Sequence, residues 1–188
     1  MMTAKILSRN PRNDNDQVNI IIGSEFEVPH ASIVSSVLIG LDIPHSINIF
    51  SVHRTPVLLF DHIRKIESDD IKVIIACGTS SSALSGMIAA HTHIPVIGLP
   101  LTSNTKLNGI DALVTTLQTP RTVPVMSVGI DSYENAAYAA AQIIALTDKG
   151  CKKKLQQVRN KETKRIHQQN NRLSTIGALD YIKTLEKH

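Results

Sequence analysis

The sequence predicts an α/β fold with a parallel, doubly wound sheet, and two observations carry that prediction. Apolar runs typical of strands alternate five times with segments of helical periodicity, and the connections are short. The run at 73–76 also lacks polar alternation, as expected for a strand that helices cover on both faces. At 188 residues and 42% apolar composition, the chain is long enough for one domain with a sizeable core.

Each apolar run is followed by a helical pattern, so the elements can be placed in order. The strands are expected at 18–22, 47–50, 73–76, 95–99 and 124–128. The helices are expected at 28–40, 56–66, 83–90, 108–117 and 135–146. Pro29 and Pro56 fall in the first turns of two helices, where a proline N–H is not needed.

The C-terminal part of the chain differs from the rest in charge. Residues 1–148 contain nine Lys and Arg against thirteen Asp and Glu, net −4, whereas residues 149–188 contain eleven against three, net +8. We interpret Gly150 as a break, followed by two polar helices at about 152–170 and 174–187. The predicted organisation is a flexible leader at 1–17, a central domain at 18–150 and a basic helical extension at 151–188.

The extension contains an apolar stripe that needs a cover, formed by Ile176, Leu179, Ile182 and Leu185 at helical spacing. Another subunit or the surface of the central domain could provide it. A basic extension could also contact nucleic acid, but a solvated helix face or a subunit contact is the favoured interpretation.

Composition excludes several other classes of protein. Aromatic residues make up 3% of the chain and there is no Trp, so stacking surfaces for bases are scarce. No apolar run is long enough to cross a bilayer, and the N-terminus lacks the apolar core of a signal peptide. Cys77 and Cys151 form no close-spaced motif, which favours a reducing cytoplasm.

The segment Ser51-Val52-His53-Arg54-Thr55-Pro56 is the strongest candidate for a functional loop. It joins a strand to a helix at the carboxyl end of the strand, where ligands bind in open α/β sheets. A histidine there suits proton transfer near neutral pH, and an arginine beside a helix N-terminus suits a phosphate. The alternative is that the imidazole only packs or caps.

Two further loops are expected at the same edge. The Gly23–Glu27 loop has a Gly-Ser turn before a helix N-terminus, which can hold a phosphate on backbone N–H groups. The Gly78–Ser85 loop is rich in serine and other small residues, which allow the backbone to approach a ligand closely. Each loop alone is weak evidence.

Their order and spacing, with segments further along the chain, resemble the PurE family of purine biosynthesis. That family comprises N(5)-carboxyaminoimidazole ribonucleotide mutases and the related aminoimidazole ribonucleotide carboxylases. The resemblance covers about residues 18–150. The matching segments are Ile22-Gly23-Ser24, Ser51 to Pro56, Leu84 to Met87, Pro95 to Gly98, Leu107-Asn108-Gly109-Ile110-Asp111-Ala112-Leu113, Leu117 to Pro120 and Asn135 to Ala145.

The resemblance implies a flavodoxin-like three-layer sandwich with strand order 2-1-3-4-5. It also implies an octamer or smaller even-numbered homo-oligomer, in which the C-terminal helices pack on neighbouring subunits. The substrate would be an aminoimidazole ribonucleotide with one 5′-phosphate. The family uses no metal and no organic cofactor.

The resemblance also implies roles for individual residues. His53 would be the general acid and base, because one imidazole can both deliver and remove a proton near pH 7. Arg54 and Ser24 would hold the phosphate or ribose, and Glu27 stands where the family has an Asp that binds ribose hydroxyls. The base and carbon dioxide pocket would be lined by the remaining candidates: Ser51, Gly78, Ser82, Ala83 and Leu84.

Departures from the family pattern leave the carboxyl donor open. The mutases typically have Gly-Ser-x-Ser-Asp where this chain has Gly23 to Glu27, and they have a second histidine where this chain has Ala83. The segment Ala83-Leu84-Ser85-Gly86 resembles the carboxylases. We predict a mutase, with a carboxylase or a ribonucleotide-binding pseudoenzyme as alternatives; a flavin-binding or receiver-like module fits the loops poorly.

Overall fold

The computed structural model describes residues 15–79, 83–103 and 107–185. In these ranges the chain forms a five-stranded sheet in which every pair of neighbours is parallel. The strand order is β2-β1-β3-β4-β5, which confirms the predicted 2-1-3-4-5 order. The strands are β1 (Val18–Ile22), β2 (His45–Ile49), β3 (Val73–Gly78), β4 (Val96–Pro100) and β5 (Met126–Ser127).

Helices cover both faces of the sheet, which gives the three layers of a flavodoxin-like fold. They are α1 (Val28–Gly40), α2 (Pro56–Glu67), α3 (Leu84–Ala89), α4 (Ile110–Leu117), α5 (Tyr133–Ile144) and α6 (Lys149–Leu185). One core cluster joins α1, α5 and the start of α6 to the sheet, and a second joins α2 and α3 to the opposite face. α4 lies beside α3, since a Cβ at Gly98 would meet Thr116 Cγ2 at 2.3 Å and Ser85 Cβ at 3.5 Å.

Several element boundaries differ from the prediction by one or two residues, and two of these shifts have a local reason. β5 covers only residues 126–127 rather than 124–128, and Pro124 has no N–H for a strand ladder. α4 begins at Ile110 rather than Asn108, because Asn108 (φ 50°) and Gly109 (φ 89°) are both left-handed. The alternation that predicts the fold is unaffected by either shift.

The predicted break between α5 and the extension lies at 145–148 rather than at Gly150. α6 begins at Lys149, because the Asp148 carboxylate caps it by accepting the Cys151 N–H at 2.9 Å. The predicted gap between two C-terminal helices, at 171–173, is wrong. The helix runs through that region and is interrupted at Gly177, whose φ of 77° and ψ of 163° are not helical.

The first turns of α6 pack on the central domain and the rest projects away from it. Cys151 is buried and donates to the Ala141 carbonyl at 3.3 Å, and Lys154 donates to the Leu41 carbonyl at 3.0 Å and pairs with Asp42. From residue 159 to residue 180 every side chain is exposed. Within the described ranges, no helix combines the length and apolarity needed to cross a membrane.

The division into leader, central domain and extension stays a prediction. Residues 1–14 of the predicted leader lie outside the described ranges. Gln17, at its end, is already tied to the sheet, since its N–H donates to the Pro44 carbonyl at 2.9 Å and its carbonyl accepts the Lys72 N–H at 2.8 Å.

Candidate functional site

The three predicted loops start side by side at the carboxyl edge of the sheet. Ile22, the last residue of β1, is in register with Ile49 at the end of β2 and with Cys77 in β3. Because all these strands are parallel, the chain leaves each of them at the same edge. The sequence therefore identified neighbouring loops correctly.

The loop after β2 is a closed turn held by its own ends. The Thr55 N–H donates to the Ser51 carbonyl at 2.9 Å, and the Ser51 N–H donates to Thr55 Oγ1 at 3.1 Å. These bonds fix the backbone on either side of His53 and Arg54, whose side chains are both exposed. The closed turn therefore holds the exposed imidazole at the carboxyl edge of the sheet.

Arg54 connects the loops after β2 and β1. Its Nε donates to Ser51 Oγ at 3.2 Å, and its Nη2 donates to the Gly23 carbonyl at 3.2 Å. A guanidinium has five N–H donors, so these two bonds use only part of its capacity. The cation is thereby positioned above the Gly23-Ser24 turn, where a phosphate is predicted.

Glu27 turns its carboxylate onto its own loop. The side chain is buried, and Oε2 accepts the Gly23 N–H at 2.6 Å. Burial raises the pKa of Glu27, although hydrogen bonds from the Gly23 and Ser24 backbone act in the opposite direction. A phosphate at this turn would compete with the carboxylate for the Gly23 N–H, and contact of Glu27 with ribose stays a prediction.

The loop after β3 is only partly described. Gly78 belongs to β3, and its carbonyl accepts the Leu101 N–H at 2.9 Å. Ala83 is exposed just before α3, whereas the Leu84 side chain is in the core, so only its backbone could contact a ligand. Ser82 lies outside the described residues.

Three polar residues near the edge have no strong sequence signal. His30, in the first turn of α1, contacts Tyr133 at the start of α5, and Tyr133 contacts Asp131. The sequence alone does not indicate these contacts. His30 and Tyr133 are distant in the chain and become neighbours only through the packing of α1 on α5. A left-handed Asp131, φ 52°, is likewise not evident from sequence.

A metal centre is not indicated in the part of the chain that the structure describes, where no three His, Cys, Asp or Glu side chains come together as a ligand group. His91 and His93, the paired histidines of the sequence, have other contacts. His91 stacks on Phe60 with ring centroids 3.9 Å apart, and the His93 N–H donates to Glu67 Oε1 at 2.9 Å.

A comparison with protein families matches residues 17–165 to the model described as AIR carboxylase, the PurE family. The chain belongs to this family. It is 34% identical over 170 residues to N5-carboxyaminoimidazole ribonucleotide mutase of Thermotoga maritima, covering 90% of this chain and 99% of the relative. It is 36% identical over 157 residues to the mutase of Escherichia coli K12, covering 82% of this chain and 92% of the relative.

Relatives that are named carboxylases are also similar to this chain. Phosphoribosylaminoimidazole carboxylase of Saccharomyces cerevisiae is 34% identical over 166 residues, which are 88% of this chain but 29% of the relative. Among solved structures, Treponema denticola PurE matches with a TM-score of 0.77 and 27% identity, covering 83% of this chain and 97% of that chain. The family and its fold, both predicted from sequence, are confirmed.

Proposed function

We propose that this protein converts N(5)-carboxyaminoimidazole ribonucleotide to 4-carboxyaminoimidazole ribonucleotide in purine biosynthesis. The observation that carries the proposal is the rigid Ser51–Thr55 turn. It presents His53 at the carboxyl edge of the sheet, beside an arginine bonded to the Gly23 loop. Membership of the AIR carboxylase family and the mutase-named relatives support the reaction type.

His53 would carry out both proton transfers. The imidazolium gives a proton to the exocyclic nitrogen as its bond to the carboxyl carbon breaks, which releases carbon dioxide and the neutral amine. The ring carbon then attacks carbon dioxide, and the neutral imidazole removes the proton from that carbon. The histidine returns to its starting protonation state, so no other proton donor is required.

Arg54 would bind the 5′-phosphate. A phosphate at the Gly23-Ser24 turn would receive charge-assisted hydrogen bonds from the guanidinium donors that Ser51 and Gly23 do not use. Ser24 precedes the short 3₁₀ turn Glu25–Glu27 and could add its hydroxyl. Ser51 and the backbone of Gly78 and Ala83 would line the pocket for the base.

The alternative donor is carbon dioxide, with aminoimidazole ribonucleotide as its partner. The Ala83-Leu84-Ser85-Gly86 segment favours this carboxylase reaction, because it lacks the second histidine of the mutases. The His53 loop and the longer match at 107–120 favour the mutase. A single histidine suffices for the transfer in either case, so we retain the mutase.

We further propose a homo-oligomer, an octamer by family resemblance, in the cytoplasm, with no metal or organic cofactor. The exposed stripe of α6 supports assembly, since Leu179 and Leu185 are 79% and 62% exposed. A second subunit covering this stripe would remove aliphatic surface from water.

The deciding experiment is product formation by purified protein from each donor under bicarbonate-free conditions. The mutase predicts product from the N-carboxylated ribonucleotide alone. Product from aminoimidazole ribonucleotide only after carbon dioxide is added, and none from the N-carboxylated compound, would instead establish a carboxylase. Binding of the ribonucleotides without turnover of either donor would support the pseudoenzyme alternative.

A further inference from the structure

Tyr133, the first residue of α5, connects two loops of the site edge but has no part in the chemistry proposed above. Its hydroxyl lies 2.9 Å from His30 Nδ1, and the two rings stack with centroids 5.4 Å apart. Its backbone N–H donates to the Asp131 carbonyl at 2.9 Å. Tyr133 thus joins the helix that follows β1 to the turn that precedes α5.

The Tyr133 hydroxyl can donate or accept in its hydrogen bond with His30, because a hydroxyl has one proton and two lone pairs. Which group donates depends on which imidazole nitrogen of His30 holds the proton. Burial and the neighbouring Asp131 raise the pKa of Tyr133 to about 12, so the hydroxyl keeps its proton at neutral pH.

At one end of this chain of hydrogen bonds, Asp131 fixes the loop after β4. Its two carboxylate oxygens accept the Thr102 N–H at 3.0 Å and the Thr102 hydroxyl at 2.8 Å, and its own N–H donates to the Pro100 carbonyl at 3.0 Å. Gly109 packs directly on this loop, since a Cβ there would lie 3.3 Å from Thr102 Cα. Gly109 belongs to the Leu107–Leu113 segment that matches the family.

At the other end, His30 faces the loop after β1. It lies three residues after Glu27, one helical turn away, and attracts the Glu27 carboxylate electrostatically. That carboxylate holds the Gly23 N–H, and the Gly23 carbonyl accepts from Arg54. The hydrogen bonds at Tyr133 therefore lead from the β4 loop to the loop where the phosphate is proposed to bind.

The position of Tyr133 in the sheet explains why one residue can reach both loops. β1 and β4 are the two neighbours of β3. Tyr133 packs against the core cluster that contains Cys77 of β3. It thus bridges the loops on either side of the β3 loop, which is proposed to line the base pocket.

We propose that Tyr133 is a positioning residue that holds the loops after β1 and β4 at a fixed spacing across β3, so that they bind the ribonucleotide between them. Its hydroxyl connects to His30 and its backbone N–H to Asp131. This inference rests on the proposed function. It assigns His30 and Asp131 as the two anchors of Tyr133. None of the three residues takes part in proton transfer.

The test compares Tyr133→Phe with Tyr138→Phe in the full-length protein. Tyr138 is the matched control, because it lies on the same helix and is also partly buried against the core. Tyr133→Phe should raise KM about tenfold and change kcat by less than about threefold, the scale of one lost hydrogen bond. Tyr138→Phe should change neither.

Three further variants test the two anchors. Asp131→Asn should raise KM by a similar factor, since Asn tolerates the left-handed backbone at this position. The double variant Tyr133→Phe with Asp131→Asn should be no worse than the weaker-binding single variant, because both remove one connection. His30→Asn should retain near-native KM, because its side-chain amide can hydrogen-bond from the position of Nδ1.

A second readout separates this inference from the proposed function. Calorimetric titration with 4-carboxyaminoimidazole ribonucleotide should give about tenfold weaker binding by Tyr133→Phe, and the Thr102 amide should exchange faster. If the wild-type protein binds but turns over neither donor, the proposed function fails and this titration alone decides the inference. Equal affinity of Tyr133→Phe and the wild type, or a lower kcat at unchanged KM, would overturn it, and failure of the wild type to bind would overturn both. Should Tyr133→Phe not fold, Asp131→Asn provides the same comparison.

Discussion

The apolar residues of the central part are mostly buried, whereas most of those in the extension α6 are exposed. In β1 every residue is buried, and the helices α1 and α5 close the core on one side of the sheet. Most of α6 has no such partner, since Ile176, Leu179 and Ile182 are 37%, 79% and 52% exposed. The apolar residues of the central part are therefore covered within the chain, whereas the apolar stripe of α6 is exposed. Activity and assembly should be separable by mutation.

The largest expected effect is on assembly. Deleting residues from 171 onward removes the stripe, and each of its four aliphatic side chains loses about 1.5–3 kcal/mol of burial if a subunit covers it. Sedimentation should show a smaller oligomer, while circular dichroism shows an intact sheet. An oligomer of unchanged size that remains soluble would show that the stripe is not an interface.

The next effect concerns the central part alone. His53→Asn should lower kcat by at least about a hundredfold, the scale of general acid–base catalysis, and leave the oligomer and ligand affinity nearly unchanged. His53 is exposed, so its replacement opens no core cavity. His93→Asn, also exposed but remote from the edge loops, is the control. Near-native turnover by His53→Asn would remove the residue from the mechanism.

Arg54→Ala should have a somewhat smaller effect, on binding. Loss of its charge-assisted hydrogen bonds should cost about 1.5–3 kcal/mol for the ribonucleotide and little for the free riboside, which has no phosphate. Calorimetric titration with both ligands measures the difference. Arg64→Ala, an exposed arginine on α2 paired with Asp61, is the control. Equal losses for the two ligands would mean that Arg54 does not contact the phosphate.

The central part of the chain could be predicted from the sequence more completely than α6. The alternation of strands and helices was predictable, because the central part contains apolar runs with the length typical of buried strands. The strand order was predicted only from the resemblance to the family. The start of α6 and its interruption were not predictable, since the cap by Asp148 and the positive φ of Gly177 are local backbone features that hydrophobic periodicity does not record. The inward turn of Glu27 and the contact of His30 with Tyr133 depend on packing between distant segments, which a sequence pattern does not record.

The smallest expected effect is on stability and arises at Glu27. Burial raises the folded-state pKa of this carboxyl above its ordinary value of 4.5. The unfolded chain therefore ionises first as the pH rises, so the contribution of this group to stability is fully present below 4.5 and is lost as the pH rises through the folded-state pKa.

Glu27→Gln cannot ionise, yet its amide oxygen can still accept the Gly23 N–H. Urea unfolding of both proteins across this pH range should show stability shifting in favour of Glu27→Gln as the pH rises, whereas exposed Glu25→Gln should show no such trend. A pH-independent difference between Glu27→Gln and the wild type would mean that the buried carboxylate ionises as readily as one in solvent. The oligomer should be the same in all three proteins, because Glu27 belongs to the central part of the chain rather than to the exposed stripe of α6.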